Sequence, residues 1–331
     1  MTPPRKVLIT GGREIGGVAS FAEALQRGFA DRGIAAEVMA PSAVFGRLRE
    51  LRDPGILKIL STTAVYAAPL ARRAICMAHG VPRADYSGTV KMAGIIASFR
   101  IANHSPGAQL VSVSHYTAAT LRAVFSVRTD AVIHNPLKPL FLEPYHYSPD
   151  GKCWITYAGR LIAAKNLHRM IPALQDLLDE IPELRVCIIG EGELRPQLQN
   201  LTSGDCRFEF KGSPDDLLLR GWLQRTRLFV SGNEVEGFGI AYLEAMTQGC
   251  IVAMPAGGGG LEIAPELIGR SVQLLPLSWD HRALTDVFRT ALHQEWIPVD
   301  TQRFSVEAVT DSYLEIDARF SSTGYYSGHR R

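Results

Sequence analysis

Twice in this chain a short apolar run stops at glycine and gives way to a helical pattern, and its fold must accommodate that repeat. The first run is KVLIT at 6–10, followed by a glycine-rich loop. In the stretch after it, GGVASFAEALQRGFADRG, the residues Val18, Phe21, Leu25 and Phe29 fall on one helical face, and Gly33 stops the helix. AAEVMAP resumes as a strand. Strand, glycine loop, helix and strand in that order form a βαβ unit with parallel strands. AICMAH (74–79) and QLVSVS (109–114) read as later strands of the same sheet, with the helix TAATLRAVF after the second. The cycle restarts at CWITYAG (153–159). A helix near 166–179, the strand LRVCIIG, the helix ELRPQLQNL and the strand CRFEFKG follow; RLFVSG, a helix after Gly239 and CIVAMP complete it.

The prediction is an α/β chain of two facing, doubly wound, Rossmann-like parallel-sheet domains with a cleft between them. The Pro- and Tyr-rich stretch FLEPYHYSPDGK (141–152) marks the boundary. The expected domains are 1–143 and 144–303, with a C-terminal helix near 304–320 packing back on the first. At 331 residues and 46% hydrophobic, the chain can fill two cores. Its five cysteines are scattered and form no Cys-x-x-Cys pair, which argues against a disulfide framework or structural zinc and for a reducing cytoplasm. No signal-peptide pattern and no membrane-spanning apolar run stand out. The expected location is cytoplasmic, with the inner face of a membrane as a candidate seat.

Charge is uneven. Residues 1–150 carry 17 Lys and Arg against 10 Asp and Glu, while the remainder carries 18 against 23. The basic half points to an anionic partner: nucleic acid, a membrane surface or a lipid phosphate. Nucleic acid is set aside, because no aromatic residues interleave with the basic ones. The segment 44–60, VFGRLRELRDPGILKIL, interleaves Val44, Phe45, Leu48, Leu51, Ile56 and Leu57 with Arg47, Arg49, Arg52 and Lys58; such a stretch can lie on an anionic membrane face, and an ordinary solvated helix covering the sheet, interrupted at Pro54, is the plainer reading.

In open α/β sheets ligands bind beyond the carboxyl ends of strands. Four segments fall there. YAGRLIAAKN offers Arg160 and Lys165, a cationic pair suited to a diphosphate; an ordinary surface pair is the plainer reading. IIGEGELRPQL offers Gly190 and Gly192. In NEVEGFGIAYLEAM, Glu236 precedes the turn Gly237-Phe238-Gly239, which opens a helix with a positive end. Glu244 lies inside that helix among Leu243, Ala245 and Met246, where a carboxylate needs partners such as ribose hydroxyls. AGGGGLE offers Glu262. His79, His115 and His134 end strands, where a structural role is the commoner one. The first glycine loop, with Gly11, Gly12, Gly16 and Gly17, lacks the Gly-x-Gly-x-x-Gly spacing of a nicotinamide site, though Gly16 and Gly17 still suit phosphate or sugar approach.

These segments, in order along nearly the whole chain, resemble the retaining nucleotide-sugar glycosyltransferases of GT-B architecture, in the large family four group. EGFGIAYLEAM looks like that family's Glu-x7-Glu signature. YAGRLIAAKN, IIGEGELRPQLQ, FEFKG, the opening IGGVASFAEALQRGFADRG and MAHG look like its other conserved segments. The resemblance implies that Glu236 holds donor-sugar hydroxyls and Glu244 the ribose. It puts Phe238, Gly239 and Ile240 at the sugar or diphosphate, and Gly190 with the backbone from Lys211 to Ser213 at the nucleotide. Arg160 and Lys165 would neutralise the departing diphosphate, His79 would lie near the C6 side of the sugar, and Gly16 and Gly17 would face the phosphates. The implied reaction moves a hexosyl group from a UDP- or GDP-sugar to a glycan or lipid-linked acceptor in surface polysaccharide or glycoconjugate synthesis. No metal and no cofactor are expected, since the sequence has no Asp-x-Asp motif and the nucleotide sugar is a substrate. A sugar-nucleotide epimerase of the same architecture and a non-catalytic sugar-binding partner subunit are the alternatives. The chain departs from the pattern in its shortness, in Asn166 where glycine is common, and in the extra glycine of AGGGGLE, which bears on Glu262.

Overall fold

Strand runs flanked by glycine loops build two six-stranded sheets, every strand pair of which is parallel. The computed structural model describes residues 3–11, 17–143, 145 and 153–322. The chain divides into two compact units, 1–138 with 302–331, and 139–301.

Unit 1 contains β1 (Lys6–Thr10), α1 (Gly17–Asp31), β2 (Ala35–Met39), α2 (Leu48–Arg52), β3 (Ile56–Leu60), β4 (Ala74–Ala78), α3 (Ala84–Ser87), α4 (Thr89–Asn103), β5 (Ala108–Ser112), α5 (His115–Phe125) and β6 (Ala131–Val132). Its sheet order is β2-β1-β3-β4-β5-β6. Unit 2 contains α6 (Pro139–Leu142), β7 (Trp154–Ala158), α7 (Leu167–Glu180), β8 (Arg185–Ile189), α8 (Arg195–Leu201), β9 (Phe208–Gly212), α9 (Asp216–Arg225), β10 (Thr226–Val230), α10 (Ile240–Thr247), β11 (Ile251–Pro255), β12 (Val272–Leu275) and α11 (His281–His293). Its order is β12-β11-β10-β7-β8-β9. The last helix, α12 (Val306–Ser322), belongs to unit 1.

Parallel strands covered on both faces must be apolar throughout. β4 and β5 are buried at every position, and so is β11. In unit 2, α7 turns Leu167, Met170, Ile171, Leu174, Leu177 and Leu178 inward at helical spacing onto Ile155, Val186 and Ile188. In unit 1, α12 crosses α1 where Gly28 has no side chain; a Cβ there would lie 2.0 Å from the Thr310 hydroxyl. Arg32 and Asp311 pair at 2.6 Å beside that crossing. Deeper in, Arg73 meets Asp317 of α12 with two hydrogen bonds, at 2.9 and 2.7 Å.

The reading of 44–60 as one basic amphipathic surface is overturned. The segment is split into a 3-10 stretch (Pro41–Arg47), α2, a turn and β3, the third strand of the sheet. Val44, Leu51, Ile56 and Leu57 are core residues. Arg47 is paired with Glu37 and Glu50, and Lys6 with the same two acids. Arg47, then Lys6, holds the Glu37 carboxyl down to about 2. Lys58 is fully buried, its ammonium donating to the main-chain carbonyls of Asp53 and Arg72, both at 2.6 Å. Burial pushes it down to about 7. A buried lysine satisfied by backbone carbonyls explains how a charged residue fits within a central strand.

Candidate active site

In unit 2 the chain runs outward from β7 to β8 and β9, then returns to the other side of β7 as β10. β7 and β10 are therefore neighbours whose following loops diverge, which is the switch point where such sheets bind ligands. The loop after β7 carries Lys165 and the loop after β10 carries Glu236. They meet here: Lys165 Nζ lies 2.7 Å from Glu236 Oε2. Asn233 Nδ2 donates to the same oxygen at 2.7 Å. Burial pushes the Glu236 carboxyl up. The Lys165 charge and hydrogen bond, with donors from Asn233 and the Gly237 backbone, outweigh that and hold it below the usual carboxylate range. The result is a partly buried, ionised carboxylate beside an ammonium, able to accept from hydroxyls and to face an anion respectively.

Local backbone geometry fixes this pair. Lys165 ends a short 3-10 turn whose next residue, Asn166, has φ 54°. Asn166 Nδ2 donates to Gly232 O at 2.9 Å and ties the two loops together. Gly258, at φ 87°, lies against the Glu236 main chain, and Gly259 N donates to Glu236 O at 2.8 Å. The AGGGGLE loop thus supports Glu236 from behind.

Other predicted residues distribute as follows. Arg160 is exposed directly after Gly159, and the Tyr157 hydroxyl donates to its carbonyl. Gly190 sits where a Cβ would lie 1.9 Å from Gly159 O, so the loops after β7 and β8 touch backbone to backbone. Gly190 N also donates to Gly212 O at 2.6 Å, which brings in the end of β9. Lys211 points toward α9, paired with Glu209 and 4.8 Å above the Trp222 ring; Ser213 is exposed two residues on. Phe238 is buried, Gly239 takes φ 89° and α10 starts at Ile240. Glu244 is buried within α10. In unit 1, Gly17 opens α1 and Gly16 lies outside the described residues. His79 follows β4, its ring edge-on to Phe21 at 4.6 Å. His79 Nε2 is buried and has no hydrogen-bond partner among the described residues, and burial pushes the ring down to about 4, so it is neutral at pH 7.

Residues 144–295 match the profile of the family described as glycosyl transferases group 1. The segment contains Arg160, Lys165, Glu236 and Glu244. Two curated proteins that the chain matches in part are a poly(glycerol-phosphate) alpha-glucosyltransferase of Bacillus subtilis and a GDP-mannose-dependent alpha-(1-6)-phosphatidylinositol dimannoside mannosyltransferase of Mycobacterium tuberculosis. The first is 28% identical over 130 residues, 38% of this chain and 18% of the relative. The second is 27% identical over 150 residues, 45% of this chain and 39% of the relative. The chain thus spans well under half the length of the relatives it matches. Among solved structures, WaaG, a glycosyltransferase involved in lipopolysaccharide biosynthesis, superposes with a TM-score of 0.68 at 15% identity, over 97% of this chain and 96% of that one. Anabaena Alr3699/HepE in complex with UDP and glucose gives 0.65 at 16% identity, over 96% and 99%. At such identities the likeness shows the fold, two Rossmann-like domains of GT-B type.

Several residues that shape this candidate site escape a reading by motif. Asn233 could have been suspected from its place three residues before Glu236. Tyr242 fills the space left by Gly239 and Gly260, and its hydroxyl lies 3.2 Å from Ser231 Oγ. Trp279, at φ 53°, packs on Gly232, donates from Nε1 to Glu234 at 2.8 Å and lies 4.8 Å under the Arg169 guanidinium. It comes from the loop before α11, more than a hundred residues after Lys165, and no local pattern marks it.

Proposed function

We propose that the protein is a retaining hexosyltransferase that moves a sugar from a UDP- or GDP-linked donor to a glycan or lipid-linked acceptor in surface polysaccharide or glycoconjugate synthesis. The Lys165–Glu236 contact at the β7/β10 switch point, inside the family segment, carries this reading. Glu236, ionised and oriented by Lys165 and Asn233, accepts hydrogen bonds from donor-sugar hydroxyls. Lys165 and Arg160 offset the charge that grows on the diphosphate as the C1–O bond breaks. The head of α10, at Phe238, Gly239 and Ile240, adds its positive end, and Glu244 accepts from the ribose. Gly190 and the backbone from Lys211 to Ser213 receive the nucleotide. The acceptor oxygen bonds to C1 on the face the diphosphate leaves, and its proton passes to the departing phosphate oxygen, so the anomeric configuration is kept. In unit 1, Gly16 and Gly17 are assigned to phosphate approach, and His79 to a sugar hydroxyl as a neutral imidazole. The relatives' acceptors, a glycerol-phosphate polymer and a phosphatidylinositol glycoside, favour an acceptor of glycan or lipid-linked type. A cytoplasmic enzyme without metal or cofactor fits this charge-based mechanism.

The test is a screen of UDP- and GDP-sugars by nucleoside diphosphate release, with and without candidate acceptors and with and without EDTA. Release with at least one donor, undiminished by EDTA and with an α-linked product from an α-linked donor, is expected. An epimerised sugar nucleotide formed without acceptor would assign the site to an epimerase instead. Loss of activity in EDTA, restored by magnesium or manganese, contradicts the charge-based mechanism.

A further inference from the structure

α4 has an unusual outward face. Its inner side is ordinary: Phe99 and Ala102 are buried and Ile95 packs on the unit 1 core. Its outer line is Val90, Ala93, Gly94, Ala97 and Ile101, all exposed and spaced three or four residues apart. Val90 is 88% and Ile101 50% exposed. A surface helix normally turns charged residues to solvent, but here no charge lies on that line. Lys91 and Arg100 flank it, and both are exposed.

The segment's own charges are one-signed, with the exposed acids Asp85 and Asp130 just beyond its two ends. From residue 86 to residue 129 the sequence holds no Asp or Glu, and it holds Lys91, Arg100, Arg122 and Arg128. The end of α4 is tied to the segment after α5. Arg100 donates to Phe125 O at 3.1 and 2.9 Å, and Asn103 and Arg128 exchange hydrogen bonds at 2.6 and 2.9 Å. This brings the exposed Arg128 and Val124, the latter 64% exposed, to the same end of the helix. There an open cavity of about 470 Å³ is lined by Pro69, Arg100, Ile101, His104, Ser105 and Pro106.

We propose that the outward face of α4 is a docking surface for an anionic phospholipid membrane. An apolar line along a helix with cations on its flanks is the arrangement of an interfacial helix, which sinks the apolar residues to the headgroup boundary while the cations meet lipid phosphates. The cavity beside Arg100 and His104 gives one headgroup a seat. A second copy of the chain is the poorer occupant, because it would set the cations Lys91 and Arg100 that flank this line against their own copies. No helix among the described residues is long and apolar enough to cross a membrane, so the attachment is peripheral. The inference rests on the geometry of α4 and not on the donor site, and it relocates the membrane contact from the 44–60 segment.

The test is flotation of the full chain with phosphatidylcholine vesicles, with and without phosphatidylglycerol, at low and high salt. Val90→Glu with Ile101→Glu alters only exposed side chains, and a thermal melt checks that the fold is kept. The wild type is expected to float with phosphatidylglycerol vesicles at low salt, far less with pure phosphatidylcholine or at high salt. The double variant should lose roughly tenfold or more of that partition. Arg49→Glu with Arg52→Glu, a larger charge change elsewhere in unit 1, should lose less. The proposal is overturned if the wild type does not float with anionic vesicles, if the α4 variant floats as well as the wild type, or if the Arg49/Arg52 variant loses more. It is also overturned if the wild type self-associates and the α4 variant is monomeric, which would assign the face to a second copy.

Discussion

Lys165→Ala is expected to lower kcat by about 10²–10³ while KM for the donor changes little. The reason lies in where the charge is needed. Lys165 already compensates Glu236 at rest, 2.7 Å away, so part of its attraction is present before the donor enters. The diphosphate gains charge only as the C1–O bond breaks, and the ammonium's advantage is therefore largest in the transition state. A second readout follows from Glu236. Burial pushes its carboxyl up, and Lys165 makes the largest of the contributions that overcome this. Without Lys165 the carboxyl moves up, so the residual activity should fall off at a higher pH on the acidic side than that of the wild type. Asn233 remains to orient the carboxylate in this variant. A kcat within about threefold of wild type, or an unchanged acidic limb, contradicts a transition-state role.

Asp317→Ala is expected to destabilise unit 1 by about 3–5 kcal/mol, the cost of leaving a buried charge without its partner. Asp317 is 3% and Arg73 10% exposed at the side chain, and their fork holds two hydrogen bonds. Arg73 also donates to the Pro54 carbonyl, at 3.2 Å. Lys58 is close enough for Arg73 to disfavour its charged form. Removing Asp317 thus takes the carboxylate from one buried cation beside another, at the point where α12 closes unit 1. Urea unfolding of the full chain, with hydrogen exchange to assign the transition to residues 1–138, measures the loss. A change under about 1 kcal/mol, the range of a solvated surface pair, contradicts this account.

The alternation of apolar strands, glycine stops and helical patterns announced two parallel sheets, because a strand buried on both faces is a plain apolar run and its glycine stop is local. β3 was hidden by Lys58. One lysine in ILKIL made a central strand look like part of a basic surface, and only the carbonyls of Asp53 and Arg72 explain how it is buried. α4 was hidden for the opposite reason. With apolar residues on both its inner and outer faces it has almost no amphipathic period to detect. At the candidate site, Glu236 and Glu244 stood out through their spacing around a glycine turn, and Lys165 through its place after a strand. Their supports did not. Tyr242 is explained only by the glycines it packs against, Gly258 and Gly259 by the Glu236 backbone they hold, and Trp279 by Gly232. Each of these contacts joins loops distant in sequence, and such pairing is a property of the sheet order, not of any single segment.

The central claim is that the β7/β10 switch point of unit 2 is a nucleoside diphosphate site, and its most direct measurement is calorimetric titration of UDP and of GDP into the full chain and into Glu244→Ala. Ribose contacts are present in ground and transition states alike, so their loss weakens binding itself. The account predicts that one of the two nucleotides binds the wild-type chain in the presence of EDTA, and that Glu244→Ala weakens that binding by roughly tenfold or more, the loss of one or two hydrogen bonds to a charged group. Binding of neither nucleotide, or equal binding by wild type and variant, would contradict it.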